Sequence, residues 1–286
     1  MSPRGKAKRR LNSVRKPRGP RHGQGGAPRL KWLALSALVV VCASLTALAA
    51  WFVFGAGSSE HPAAPKAAIV DHLALTFPDP AFVQEATSTL EEAGYAVDYY
   101  PGEKVTVQFY RDLGTRGYNL IILRVHSARL RRSDGSALDE VALFTSEPYS
   151  TSMYVDEQKS KDLIRTRYSF EEEQRFFGIM PGFIESRAKG TFEGATVILM
   201  GCDGLRSQAT AKAFVERGAK AFIGWDREVS AEWTDKATER LLHFLLFEKR
   251  TPSDAVTEAM AEVGPDPSSG SQLVVYPASA AASAGN

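Results

Sequence analysis

Six short apolar runs, separated by amphipathic segments, constrain this chain more than any other feature. They are AIVDHLALT (68–76), AVDYY (96–100), NLIILRVH (119–126), ATVILMG (195–201), AKAFIGW (219–225) and SQLVVYP (271–277). Several are apolar almost throughout rather than alternating, which is the pattern of strands buried on both faces. Between them, helical periodicity is expected over 80–93, 105–114, 205–217, 229–247 and 252–262. The last of these opens on Thr251-Pro252-Ser253-Asp254, a capping-box start with proline at the first helical position. Strands alternating with helices predict an α/β domain with a mostly parallel sheet of about six strands, covered on both faces.

This domain is expected over 68–278 of the 286 residues, with a flexible tail at 279–286. The first 31 residues hold 11 Lys and Arg and no Asp or Glu, a composition that cannot bury enough apolar surface to fold. The next 23, Trp32 to Phe54, are uncharged and apolar, long enough to cross the hydrocarbon core as one transmembrane helix. A cleaved secretory signal is the competing reading, with Ala47-Leu48-Ala49 as a cleavage site, but its apolar core would be shorter. The basic arm places the N-terminus in the cytoplasm and the folded domain outside it. A linker fills 55–67, rich in small residues and proline.

Removing the arm's cations leaves 24 against 33 acids, a formal charge of −9 on the remainder. That balance argues against nucleic acid as a partner and leaves the lipid membrane, through 32–54, as the partner of the N-terminal segment. The chain has two cysteines, Cys42 within the apolar run and Cys202, so the outer domain has no internal pair for a disulfide. A lone thiol in an oxidising compartment calls for a reason.

In a parallel sheet, ligands bind beyond the carboxyl ends of the strands. His126 closes one apolar run and Cys202 another, so neighbouring strands would bring imidazole and thiol to one edge. Such a pair suits nucleophilic catalysis, with backbone N–H groups near Ser127 and Gly201 as an oxyanion hole. A helix beginning near Leu205 would lower the thiol pKa, whereas Asp203 would raise it. Each residue alone has a plain structural reading as a packed strand-end side chain. The segment 128–194 interrupts the strand–helix rhythm, with a charged turn at Arg129 to Gly135 and a short hairpin element over Ala137 to Thr145. Its length marks it as a functional excursion.

The stretches LIILRVHSA (Leu120 to Ala128) and VILMGCDGL (Val197 to Leu205), with AKAFVERGAKAFIGW and TPSDAVTEAM downstream, resemble the caspase-like, clan CD cysteine peptidases, especially their CHAT, gingipain and clostripain types. In that family histidine follows the third core strand and cysteine the fourth. The resemblance implies a caspase-like three-layer sandwich, His126 as general acid/base, Cys202 as nucleophile and a polypeptide substrate. It also points to Trp225 and Asp226, after the fifth strand, as the specificity pocket. The family's glycine after the histidine is Ser127 here, and the acid that basic-specific members carry two residues before the cysteine is Met200. Met200 leaves the substrate preference open, while Ser127, the acid Asp203 beside the thiol and the oxidising compartment leave a catalytically inactive binding module as an alternative, with a plain structural domain of the cell envelope as a third.

Other candidates are His72 beside Asp71, His243 within a helical run, and Trp233-Thr234-Asp235 near a helix start. Neighbouring residues on a strand face opposite sides, so Asp71 and His72 do not make a pair by adjacency. No zinc-type cluster, Walker loop or GxGxxG requires a metal or nucleotide, so no cofactor is expected; calcium on the acidic loops stays open.

Overall fold

The computed structural model describes residues 64–131, 137–170 and 173–278. The basic arm, the apolar run 32–54, the linker as far as residue 63 and the C-terminal tail lie outside the described residues. Within them, no helix is long and apolar enough to cross a membrane.

Among the described residues, the domain has ten strands and seven α-helices. The strands are β1 (Lys66–Asp71), β2 (Ala96–Pro101), β3 (Leu120–Arg124), β4 (Ser127–Arg131), β5 (Ala137–Pro148), β6 (Leu163–Thr166), β7 (Phe176–Ile179), β8 (Thr196–Leu199), β9 (Ala221–Trp225) and β10 (Leu273–Tyr276). The helices are α1 (Pro80–Glu92), α2 (Val107–Asp112), α3 (Val155–Lys159), α4 (Pro181–Ser186), α5 (Ala209–Glu216), α6 (Ala231–Leu246) and α7 (Pro252–Val263). All six expected strands form and build one sheet in the order β10-β9-β8-β3-β1-β2, parallel except for the antiparallel edge strand β10.

Side chains alternate across this sheet, as strand geometry requires. Ile121, Leu123, Val197, Leu199 and Phe222 pack on one face against α2, α4 and α5. Ile69, Ile122, Ile198 and Ile223 pack on the other against α1, α6 and α7. Burial on both faces is why these strands read as continuous apolar runs. Helix α7 starts as expected, with the Thr251 hydroxyl accepting the Asp254 N–H at 3.2 Å.

Three local expectations are corrected. The first strand stops at Asp71, because His72 to Leu75 form a 3-10 turn capped by the Asp71 carboxylate on the Ala74 N–H. The helix expected from 205 begins at Ala209, after a run of turns. The 128–194 excursion contains a second, antiparallel four-stranded sheet, β4-β5-β7-β6, rather than one hairpin element. Its Leu143, Phe177 and Ile179 join the main core, while Phe144, Tyr168 and Phe176 form a separate aromatic cluster.

Arg124, at the end of β3, is fully buried. Its guanidinium donates to Asp71 Oδ1 at 2.7 Å, to Asp235 Oδ1 at 2.8 Å and Oδ2 at 2.7 Å, and to the Phe77 carbonyl at 2.9 Å. One side chain thus joins β1, β3, α6 and the loop before α1. Replacing it by leucine leaves two buried carboxylates without a counter-charge, which costs about 3–5 kcal/mol. Chemical denaturation of Arg124→Leu against the parent chain is expected to show a loss of that size.

Candidate functional site

The register of the main sheet places the two reactive residues. Leu123 of β3 pairs with Leu199 of β8, and His126 and Cys202 each lie three residues beyond that rung. Adjacent strands run about 4.8 Å apart, so imidazole and thiol leave the same edge of the sheet from neighbouring positions. The Met200 N–H donates to Leu123 O at 2.9 Å, extending the ladder towards the site. Beyond it the chain needs glycine: a Cβ on Gly201 would collide with the Val125 carbonyl and the Ser127 hydroxyl. The Ser127 Oγ then donates to the Cys202 carbonyl at 2.5 Å, fastening the turn that carries the thiol to the residue after the histidine.

His126, Ser127, Gly201 and Cys202 line one cavity of about 570 Å³, together with Phe77, Phe144, Tyr168, Phe170 and the segment Glu228 to Glu232. The four expected residues therefore come together. Ser127 pairs with Leu143, and the Phe144 N–H donates to His126 O, which makes that pair a non-hydrogen-bonded one and turns the Ser127 N–H away from β5. The Gly201 and Cys202 N–H groups donate to no backbone carbonyl among the described residues.

Trp225 and Asp226 do not line the cavity. Trp225 is fully buried in the core, its indole N–H on Thr234 Oγ1 at 2.8 Å. Asp226 accepts from Ser271 Oγ and the Gln272 N–H at 3.1 and 2.8 Å, tying its loop to β10. The cavity wall comes instead from Glu228 to Glu232 and Thr234.

Of the remaining candidates, Thr234 rims the cavity, Asp235 serves Arg124, and Trp233 donates to the Gly264 carbonyl. His243 lies 3.5 Å from Glu248 on the outside of α6. His72 is buried with its Nε2 3.1 Å from the Tyr168 hydroxyl, and burial followed by the neighbouring His126 lowers its pKa to about 3. Among the described residues, no group of three or more His, Cys, Asp and Glu side chains could hold a metal ion.

The imidazole of His126 is held by Thr76, whose Oγ1 lies 2.9 Å from Nε2. That leaves Nδ1 as the nitrogen available to a ligand. No local sequence signal marks Thr76, because the contact spans 50 residues. Burial first, and the Arg124 charge second, lower the His126 pKa to about 4. The Cys202 thiol is pushed up, by burial and by Asp203, Glu228 and Asp266, against the Val229 hydrogen bond. The helix whose start was expected near Leu205 begins instead at Ala209, seven residues beyond the thiol. The sulfur contacts the Val229 carbonyl at 3.6 Å and the Val229 N–H at 3.5 Å, and no hydrogen bond joins it to the imidazole among the described residues. The resting pair is thus a neutral thiol beside a neutral imidazole.

Removing one of the nearby charges tests this electrostatic account. Glu228→Gln is expected to lower the thiol pKa, seen as a leftward shift in the pH dependence of Cys202 alkylation by iodoacetamide. No family model matches the chain, and no curated protein matches it by sequence.

Proposed function

We propose that this protein is a membrane-anchored, caspase-like cysteine peptidase that hydrolyses peptide bonds outside the cytoplasm through Cys202 and His126. The observation that carries the reading is the register-matched placement of thiol and imidazole in one cavity. The caspase-like assignment draws support from connectivity. In chain order, β3 is the third strand of the main sheet and β8 the fourth, and His126 and Cys202 follow them. Helices on both faces of that sheet fit the three-layer sandwich. The anchor rests on the uncharged run Trp32 to Phe54 behind a basic arm.

In this mechanism the bound peptide draws the thiol off Val229. His126 takes the thiol proton as sulfur bonds to the carbonyl carbon, and the carbonyl π pair moves onto oxygen. N–H groups of Gly201, Cys202 and Ser127 stabilise that oxyanion. As the tetrahedral species collapses, the C–N bond breaks and the imidazolium gives its proton to the leaving amine. Water, deprotonated by the same imidazole, then adds to the thioester carbon; the C–S bond breaks as that species collapses, the acid leaves, and the imidazolium returns its proton to the sulfur.

A second reading is a catalytically inactive domain that binds a partner in the same cavity. The thiol held by Val229, with no hydrogen bond to His126, favours it. The two readings separate on a peptide library incubated with the detergent-solubilised full chain. Cleavage that disappears in both Cys202→Ala and His126→Ala supports the peptidase, and cleavage that survives both changes eliminates the dyad.

The pH profile gives a further check. A general base works only when deprotonated, and His126 is lowered from about 6.5 to about 4. Activity is therefore expected to persist through pH 5 and fall as the pH drops through about 4, where an ordinary imidazole would already fail near 6.5. Thr76→Val, which removes the hydroxyl from Nε2, should lower kcat by roughly 10- to 100-fold, as expected for losing a group that orients a general base. Thr76→Ser should restore most of it.

A further inference from the structure

The cavity has an aromatic half, and it surrounds the imidazole. The His126 ring centroid lies 4.9 Å from Tyr168, 5.8 Å from Phe77, 6.0 Å from Phe144 and 6.1 Å from Phe170. Phe170 stacks on Tyr168 at 5.2 Å and meets Phe77 edge-on at 5.8 Å. The Tyr168 hydroxyl is committed to His72, so that residue turns its polar atom away and contributes its ring.

Phe77 and Phe170 are nonetheless 46% and 60% exposed. They come from segments far apart in sequence, one following β1 and one following β6, and converge on the mouth of a single cavity. Convergent, half-exposed aromatic faces beside a reactive group form a surface that gains by covering an apolar ligand. Glu228 and Glu232 belong to a different stretch of the lining, the segment whose Val229 touches Cys202.

Chemistry selects which part of a substrate meets the aromatic half. The nitrogen that leaves must receive its proton from His126, so it comes within hydrogen-bond reach of the imidazole. The residue bearing that nitrogen therefore projects its side chain among the rings around His126. The acyl part remains with Cys202. We infer that the rings of Phe77, Tyr168 and Phe170 form a subsite for a large apolar side chain on the residue immediately after the scissile bond. This rests on the peptidase reading above.

The test uses the full chain and a peptide library in which every cut is located by mass spectrometry. Among cuts that require Cys202, Phe, Leu and Ile are expected after the bond at least roughly tenfold more often than Gly or Asp, the discrimination an apolar pocket supplies. Two matched peptides, with Phe or Gly at that position, then give a kcat/KM ratio for each variant. Phe170→Ala and Phe77→Ala should each bring that ratio down severalfold. Phe170 is mostly exposed, so its substitution tests the subsite with little effect on the fold, and a thermal melt checks this. Cys202-dependent cutting with a flat or acidic preference, or a ratio unmoved in both variants, overturns the subsite and leaves the peptidase reading standing. Absence of any Cys202-dependent cutting overturns the peptidase reading and the subsite with it.

Discussion

Arg124 is the point on which the architecture of the site depends. A guanidinium buried without partners would be prohibitively unfavourable, and so would either carboxylate beside it. Their positions are therefore mutually required. Asp235 meets the guanidinium with both oxygens, in the bidentate geometry that suits arginine, while Asp71 takes Nη1 and still caps the turn after β1. Burial opposes the charge on Arg124, but Asp235 and Asp71 outweigh it, so its pKa rises. Nη2 donates in addition to the Phe77 carbonyl, one residue from the threonine that holds His126. The ion cluster thus fixes both the strand that ends in the histidine and the loop that orients it.

The same cluster sets the electrostatic character of the pair. Arg124 adds a positive charge two residues before an already half-buried imidazole, and both effects disfavour the imidazolium. On the other side, Asp203, Glu228 and Asp266 disfavour the thiolate. A preformed thiolate–imidazolium pair is consequently not the resting state. Proton transfer has to accompany attack, when charge moves onto the carbonyl oxygen, and that makes the N–H groups around Gly201 and Ser127 central to the proposed mechanism.

Much of this was legible in the sequence because burial on both faces leaves a direct signature. Strands β3, β8 and β9 are apolar almost throughout, and their ends carry His126 and Cys202. The second sheet was not legible, since β4 (SARLR) and β6 (LIRT) mix arginine with apolar residues and β4 pairs with β5 through a bulge between Arg129 and Arg131. Short strands of mixed composition do not sustain a period long enough to detect. Trp225 shows a different limit. It terminates an apolar run as His126 does, but side-chain alternation turns it into the core face shared with Met200 and Leu241. Thr76 shows a third, because a hydrogen bond between distant segments depends on how the turn after β1 closes.

The position of the nucleophile is decided at a distance from it. Both sulfur contacts are to the backbone of Val229, so the thiol goes where that segment holds it. The next residue, Ser230, gives its N–H and its hydroxyl to Asp266 at 3.0 and 2.9 Å, and Asp266 also accepts from the N–H groups of Ser268 and Ser269. These hydrogen bonds outweigh burial and keep the Asp266 carboxylate below its ordinary pKa. Ser269 in turn donates to the Glu228 carbonyl. One ionised side chain after α7 therefore knits the loop before β10 to the wall beside the thiol. The segment before the histidine is fixed by Arg124 and the segment that holds the cysteine by Asp266, two separate buried charges behind the residues that line the cavity. In the proposed mechanism, sulfur therefore reaches the imidazole only when the substrate displaces its two contacts with the Val229 backbone.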